Sequence, residues 1–183
     1  MKKLKTKFQL KAGFTLVETL MAISILVLAV TGAFSAAHSG ITSAIFSKDQ
    51  IVAFYLAQEG IEQIRNMRDE NGLRGQNWLT NIAQNPSDPC YFAVGARACR
   101  VDVVNDTIAS CGAPGSCPFL KLDPVNGFYS YVSGNDTRFK REISLSLNPA
   151  NGSNEVVVSS IVSWSKGLIN RSFTAREIIF NWQ

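Results

Sequence analysis

One carboxylate in this chain stands where a carboxylate is costly. Glu18 lies within "FTLVETLMAISILVLAVTGAFSAA", residues 14–37, which holds no other charged residue. An isolated ionised group in an apolar zone costs at least a few kcal/mol unless it meets a partner or carries a function. No cation in that stretch can serve. One would be created if the chain were cut between Gly13 and Phe14, because the freed amine of Phe14 would lie about one helical turn from Glu18. The chemistry on offer is therefore processing and charge pairing. Catalysis has little footing: His38 is the single histidine, and no nucleophile comes with a recognisable neighbouring base. The expectation is a chain that is not an enzyme and uses no cofactor.

Four cysteines, Cys90, Cys99, Cys111 and Cys117, crowd into 28 residues. No C-x-x-C pair occurs, which weakens a zinc reading, and no metal site is expected. Disulfides suit the pattern if the chain is exported. Three connectivities are open to four cysteines. A hairpin in "CYFAVGARACRVDVV" turning at Val94 and Gly95 would set Cys90 opposite Cys99, and "CGAPGSC" is a short loop that Cys111 and Cys117 can close, so these two pairs are favoured.

The elements that must position these residues begin with a membrane span. Residues 14–37 exceed the roughly 20 apolar residues that cross a hydrocarbon core. Residues 1–13 carry five lysines and no acid, and by the positive-inside rule they stay cytoplasmic and send the rest outward. Beyond that leader the chain has 13 Lys and Arg against 14 Asp and Glu. Its basic balance is thus a topology signal, and Arg138, Lys140, Arg141, Lys166, Arg171 and Arg176 read as a solvated strand face rather than a nucleic-acid patch. An ordinary secretory signal, cut near Ser35, Ala36 and Ala37, is the rival. Its apolar region would normally span only 7 to 15 residues, and Glu18 has no place in it.

"GFTLVE" resembles the processing site of type IV pilins and pseudopilins. The resemblance implies that a membrane-embedded prepilin peptidase cuts after Gly13 and that Phe14 becomes an N-methylated terminus. It also implies that Glu18 pairs with the terminal amine of a neighbouring subunit during filament assembly. The partners implied are that peptidase, other pilin subunits meeting through the N-terminal helix, the inner-membrane assembly machinery, and membrane lipid before assembly. The chain would begin as a single-pass protein of the cytoplasmic membrane with its C-terminal domain outside, then enter an extracellular or periplasmic filament. "FYLAQEGIEQIRNMRDE" further resembles the corresponding helix of V-type minor pilins and I-type minor pseudopilins of type II secretion, and "SIVSW" with the "NW" ending is similar to the V-type group. A monomeric secreted or membrane-anchored binding domain is the alternative from another class.

Helical character continues through residues 43–70, with Val52, Leu56, Gly60, Ile64 and Met67 on one face. The charges Lys48, Asp49, Glu62, Arg65 and Asp69 stand elsewhere, Arg65 and Asp69 spaced for an i,i+4 pair. Ala53, Ala57 and Gly60 form a stripe that either admits a sheet close to the backbone or merely fills the helix. Gly72 is the expected stop, giving a helix over 14–70, about 80 Å long. Residues 71–136 read as a variable loop and strand region bearing the disulfides. There Asp123, Asn126, Asn135 and Asp136 are turn formers rather than calcium ligands. N-x-S/T triplets at Asn105, Asn135, Asn151 and Asn170 are the kind that arises freely in such loops. Residues 137–183 read as three antiparallel strands, 137–147, 155–165 and 168–182. Phe139, Ile143, Leu145 and Leu147 share one side of the first. The fold class is α+β, and the resemblance implies the pilin layout: a long N-terminal helix, membrane-spanning in its first half, packed against a small antiparallel sheet.

Overall fold

The computed structural model describes residues 13–92, 97–148 and 152–181. Among the described residues one helix, α1 (Leu16–Leu73), is followed by seven strands. These are β1 (Ala98–Asp102), β2 (Thr107–Gly112), β3 (Phe119–Leu122), β4 (Tyr129–Ser130), β5 (Asn135–Asn148), β6 (Gly152–Lys166) and β7 (Ile169–Phe180). Two compact units divide the chain, the first ending at Ser47 and the second beginning at Lys48.

In the first unit the apolar part of α1 is exposed throughout, with a mean hydropathy of 2.2 over its best 18 residues and none of that window buried. Several of its hydroxyls bond back to the helix. Ser24 donates to the carbonyl of Leu20 and Thr31 to that of Val27, both at 2.8 Å. Such back-bonding lets polar side chains sit on an apolar helix without an unpaired donor. Ser35, Ala36 and Ala37 lie inside the helix, with no break at that point.

The second unit is a helix on an antiparallel sheet. β5, β6 and β7 form the expected meander, in register from Phe139 opposite Trp164 to Leu147 opposite Val156 and from Glu155 opposite Phe180 to Lys166 opposite Ile169. The other edge of β5 is shared: β3 pairs along its first half and β1 meets it at Cys99 opposite Ile143. The hairpin β1–β2 and the pair β3–β4 thus widen three strands to seven. This α+β, pilin-like layout follows from period-two alternation, because Phe139, Arg141, Ile143 and Leu145 on β5 all face inward and are buried.

The buried stripe of α1 is Ala53, Leu56, Ala57, Gly60, Ile61 and Ile64, with Val52 and Met67 only partly covered. The small residues are there for close packing. A methyl group built on Gly60 would lie 3.0 Å from Ile143 Cδ1, 3.1 Å from Arg141 Cδ and 3.2 Å from Ser160 Oγ. Two features depart from the sequence reading. Asp49 is buried and ion-paired with Arg138 at 3.0 Å, not held in solvent. Arg65 turns away from Asp69 to bridge Glu62 and Glu177, because β7 brings a second carboxylate within its reach.

The helix also ends later than Gly72. Gly75 takes the left-handed conformation (φ 68°), its N–H bonds Gly72 O at 3.0 Å, and Gln76 N bonds Asn71 O at 2.9 Å. That doubled closure is a Schellman cap, and it falls at Gly75 because only there do both bonds form. After it, Asn71 Nδ2 donates to Thr80 O at 2.8 Å and to Trp78 O at 3.3 Å. These bonds tie down a run of turns that buries Trp78, Leu79, Ile82 and Ala83. These four pack with Ile61, Ile64, Val101, Ile143, Val156 and Val158 in the larger of two apolar clusters.

Candidate functional site

Gly13, Phe14 and Thr15 precede the helix in non-helical backbone, and α1 starts at Leu16. Thr15 is the cap. Its Oγ1 accepts the N–H of Glu18 at 3.3 Å, and its carbonyl accepts the N–H of Thr19 at 3.2 Å. Thr-x-x-Glu is the spacing of a capping box, in which the residue three past the cap is Glu or Gln. Glu18 therefore sits in the first turn, where a negative charge also complements the exposed N–H groups of the helix end. The sequence reading missed the role of Thr15, although the T-x-x-E spacing was its signal.

Among the described residues no packing explains Gly13: a methyl group added there meets nothing within 4 Å. Phe14 is 79% exposed. The bond between them lies in exposed, non-helical backbone just ahead of a capped helix. A cut there would leave the cap at Thr15 whole and place the new amine one residue before it.

The four cysteines pair as Cys90 with Cys99 and Cys111 with Cys117. Of the proposed hairpin, the turn at Val94 and Gly95 lies outside the described residues. Cys90–Phe92 are not strand, and β1 takes β2 and β5 as partners instead. Cys90 and Cys99 are fully buried within the larger cluster, whereas Cys111 is only partly covered. Of the turn formers, Asp123 accepts Val125 N at 2.8 Å and Asn126 Nδ2 at 2.9 Å, which fixes the loop before β4.

Arg141 corrects the solvated-face reading. It is fully buried, and its guanidinium reaches Leu56 O at 2.9 Å, Val101 O at 2.6 Å and Glu59 Oε2 at 2.6 Å. It joins helix, β1 and β5. Tyr131 donates to the Arg141 carbonyl at 3.1 Å, and burial raises its phenol pKa against the lowering influence of the arginine. Between α1 and β7 an open groove of about 880 Å³ is lined by Tyr55, Glu59, Glu62 and Arg65 with Phe128 and Arg176. Its charges are mixed: Arg65 pairs with Glu62 and Glu177, and Glu59 pairs with Arg141.

Residues 9–34 match the family model of the prokaryotic N-terminal methylation motif. Comparison with curated proteins and with solved structures found no significant match. The match ends within α1, and its apolar helix is the exposed one described above. A methylation motif on an exposed apolar helix suggests membrane anchoring, implies processing by a prepilin peptidase and assembly with other pilin subunits, and is consistent with a type IV pilin-like or pseudopilin precursor.

Proposed function

We propose that this chain is a minor pilin, cut between Gly13 and Phe14, N-methylated on Phe14, and drawn from the cytoplasmic membrane into an extracytoplasmic filament. It works by assembly rather than catalysis. Its C-terminal domain stands outside the membrane, and the inner-membrane assembly machinery extracts it. The observation that carries this reading is the position of Glu18: a carboxylate in the first turn of an exposed apolar helix, within the matched motif, four residues after the residue that processing would make the terminus. The minor class rests on the likeness of "FYLAQEGIEQIRNMRDE" and of the "SIVSW" strand to V-type minor pilins. The same helix resembles I-type minor pseudopilins, so a secretion pseudopilin is the second reading.

The test separates charge from capping. Glu18→Gln keeps a residue able to complete the Thr15 capping box but removes the negative charge. The variant should be inserted and cut normally, with the mass of a chain beginning at methylated Phe14. It should be lost from sheared filaments, because an amine without its counter-charge in a poorly hydrated core costs several kcal/mol or must give up its proton. Wild-type incorporation of Glu18→Gln would remove the charge-pair mechanism, and a mature terminus near Ala37 or His38 would remove the pilin reading.

A further inference from the structure

The connection from β2 to β3 carries a bridge that filament assembly does not use. Cys111 lies in β2, Cys117 stands just before β3, and the two are joined across "GAPGS". Arg141 and Ile143 face inward and are buried, so alternation puts Lys140 and Glu142 on the outer face of β5. There they grip the loop. Glu142 accepts the N–H of Gly115 at 2.8 Å and that of Cys117 at 3.1 Å, and Lys140 Nζ donates to Gly115 O at 2.9 Å. Hydrogen bonds to an ionised acceptor are the stronger kind. Within the loop, Ser116 Oγ donates to the carbonyls of Cys111 and Ala113.

The two cysteines are not equivalent. Cys117 is 1% exposed, whereas Cys111 is only partly covered and residues 112–116 after it are exposed. In thiol–disulfide exchange a thiolate approaches one sulfur and expels the other. Access therefore directs attack to Cys111: the external thiolate bonds to Cys111 Sγ, the Cys111–Cys117 bond breaks, and its electron pair leaves on Cys117 Sγ. A thiolate there is disfavoured twice, by burial and by the carboxylate that accepts the same residue's N–H. Glu142 and Lys140 still hold the loop, so Cys117 stays beside Cys111, attacks back and expels a monothiol. A dithiol escapes this reversal. Its second thiolate attacks the external sulfur of the mixed disulfide and closes as its own disulfide, and Cys111 and Cys117 each take up a proton.

We propose that Cys111 is a thiol-exchange site that opens to dithiols and resists monothiols, with Cys117 as the resolving sulfur and Glu142 and Lys140 as positioning residues. Opening the bridge frees the approach to β3, whose pairing with β5 begins at Phe119 opposite Lys140. Cys90 and Cys99 are fully buried and offer no such entry.

The full chain in detergent is equilibrated with reduced glutathione or with dithiothreitol, quenched by alkylation, and mapped by peptide mass and fragmentation. The reference is a synthetic bridged peptide of residues 109–119, which has the loop without β5. Glutathione should form several-fold less adduct on the chain than on the peptide, and on the chain it should sit on Cys111 alone. Dithiothreitol should open Cys111–Cys117 and spare Cys90–Cys99. Glu142→Gln and Lys140→Met should each raise the glutathione adduct on Cys111 toward the level of the peptide, with Cys90–Cys99 still closed as the sign that the core stands. Adduct on Cys117 as often as on Cys111 would overturn the choice of attacked sulfur. A chain as reactive as the peptide, or adduct unchanged in both variants, would overturn the positioning by Glu142 and Lys140, and a Cys90–Cys99 bridge that opens first would overturn the site.

Discussion

Arg141 shows how one side chain organises the second unit. Its guanidinium satisfies the carbonyls of Leu56 and Val101 and pairs with Glu59, so it cross-links three elements from a fully buried position. Arg141→Ala takes a donor from two buried carbonyls, leaves Glu59 without its ion-pair partner and opens a cavity. The expected loss is about 2–5 kcal/mol, measured by urea unfolding of the detergent-solubilised chain followed by tryptophan fluorescence. A loss under 1 kcal/mol would show that water reaches those carbonyls. Tyr131 extends the same network. Burial raises its pKa above the ordinary value of about 10, so the neutral phenol favours the folded state. Its contribution is fully present below about pH 10 and is lost as pH climbs through the raised folded value. Tyr131→Phe should cost about 1 kcal/mol at neutral pH through its bond to the Arg141 carbonyl. It should also make stability fall less steeply between about pH 9 and 12. Tyr129, raised mainly by its own burial, keeps part of that slope.

At the scale of elements, the closeness of α1 to the sheet depends on Gly60. Alanine is the better helix former by about 1 kcal/mol, and on an open surface Gly60→Ala would stabilise. Here the new methyl meets three side chains at 3.0 to 3.2 Å, and Ile143, Arg141 and Ser160 are all fully buried and cannot step aside. Overpacking should win by about 1–3 kcal/mol. Thermal unfolding of Gly60→Ala is the measurement, and a raised midpoint would mean the sheet can shift away from the helix. At Gly13 the same addition meets nothing. Among the described residues nothing in the fold demands glycine at that position.

For the whole molecule, the two disulfides belong to different structural contexts. Cys90–Cys99 joins the turns after α1 to β1 inside the main cluster, beside Ile143 and Val101. Cys111–Cys117 closes a loop at the outer edge of the sheet, where residues 112–116 are all exposed. The first should resist reductant until the core opens, and the second should react first. Replacing Cys90 and Cys99 together by serine should cost about 2–5 kcal/mol and loosen the β1–β5 contact. The equivalent change at Cys111 and Cys117 should leave the β5–β6–β7 meander protected in hydrogen exchange. Equal loss of protection in both double variants would show that the loop bridge also supports the core.

What the sequence determined by itself was everything with a local physical cause. Glu18 is legible because a charge in an apolar run is costly wherever the run folds. The meander is legible because alternation on β5 and β6 has a period that no other element shares, and the distal helix because apolar residues recur at three- and four-residue spacing. Tertiary structure decided what depends on a distant partner. Asp49 and Arg141 carry charge and would be placed in water by type alone; they are buried because Arg138, Glu59 and two carbonyls are brought to them. Arg141 shares the parity of Phe139 and Ile143, so the alternation held the clue and the charge hid it. The pairing of β1 and β3 along one edge of β5 was not legible, because β1 meets β5 through a single pair of residues far apart in the chain and the β3 pairing is broken by a register shift. The stop at Gly75 rather than Gly72 was settled by which glycine lets both closing bonds form, a property of the folded backbone and not of the residue type.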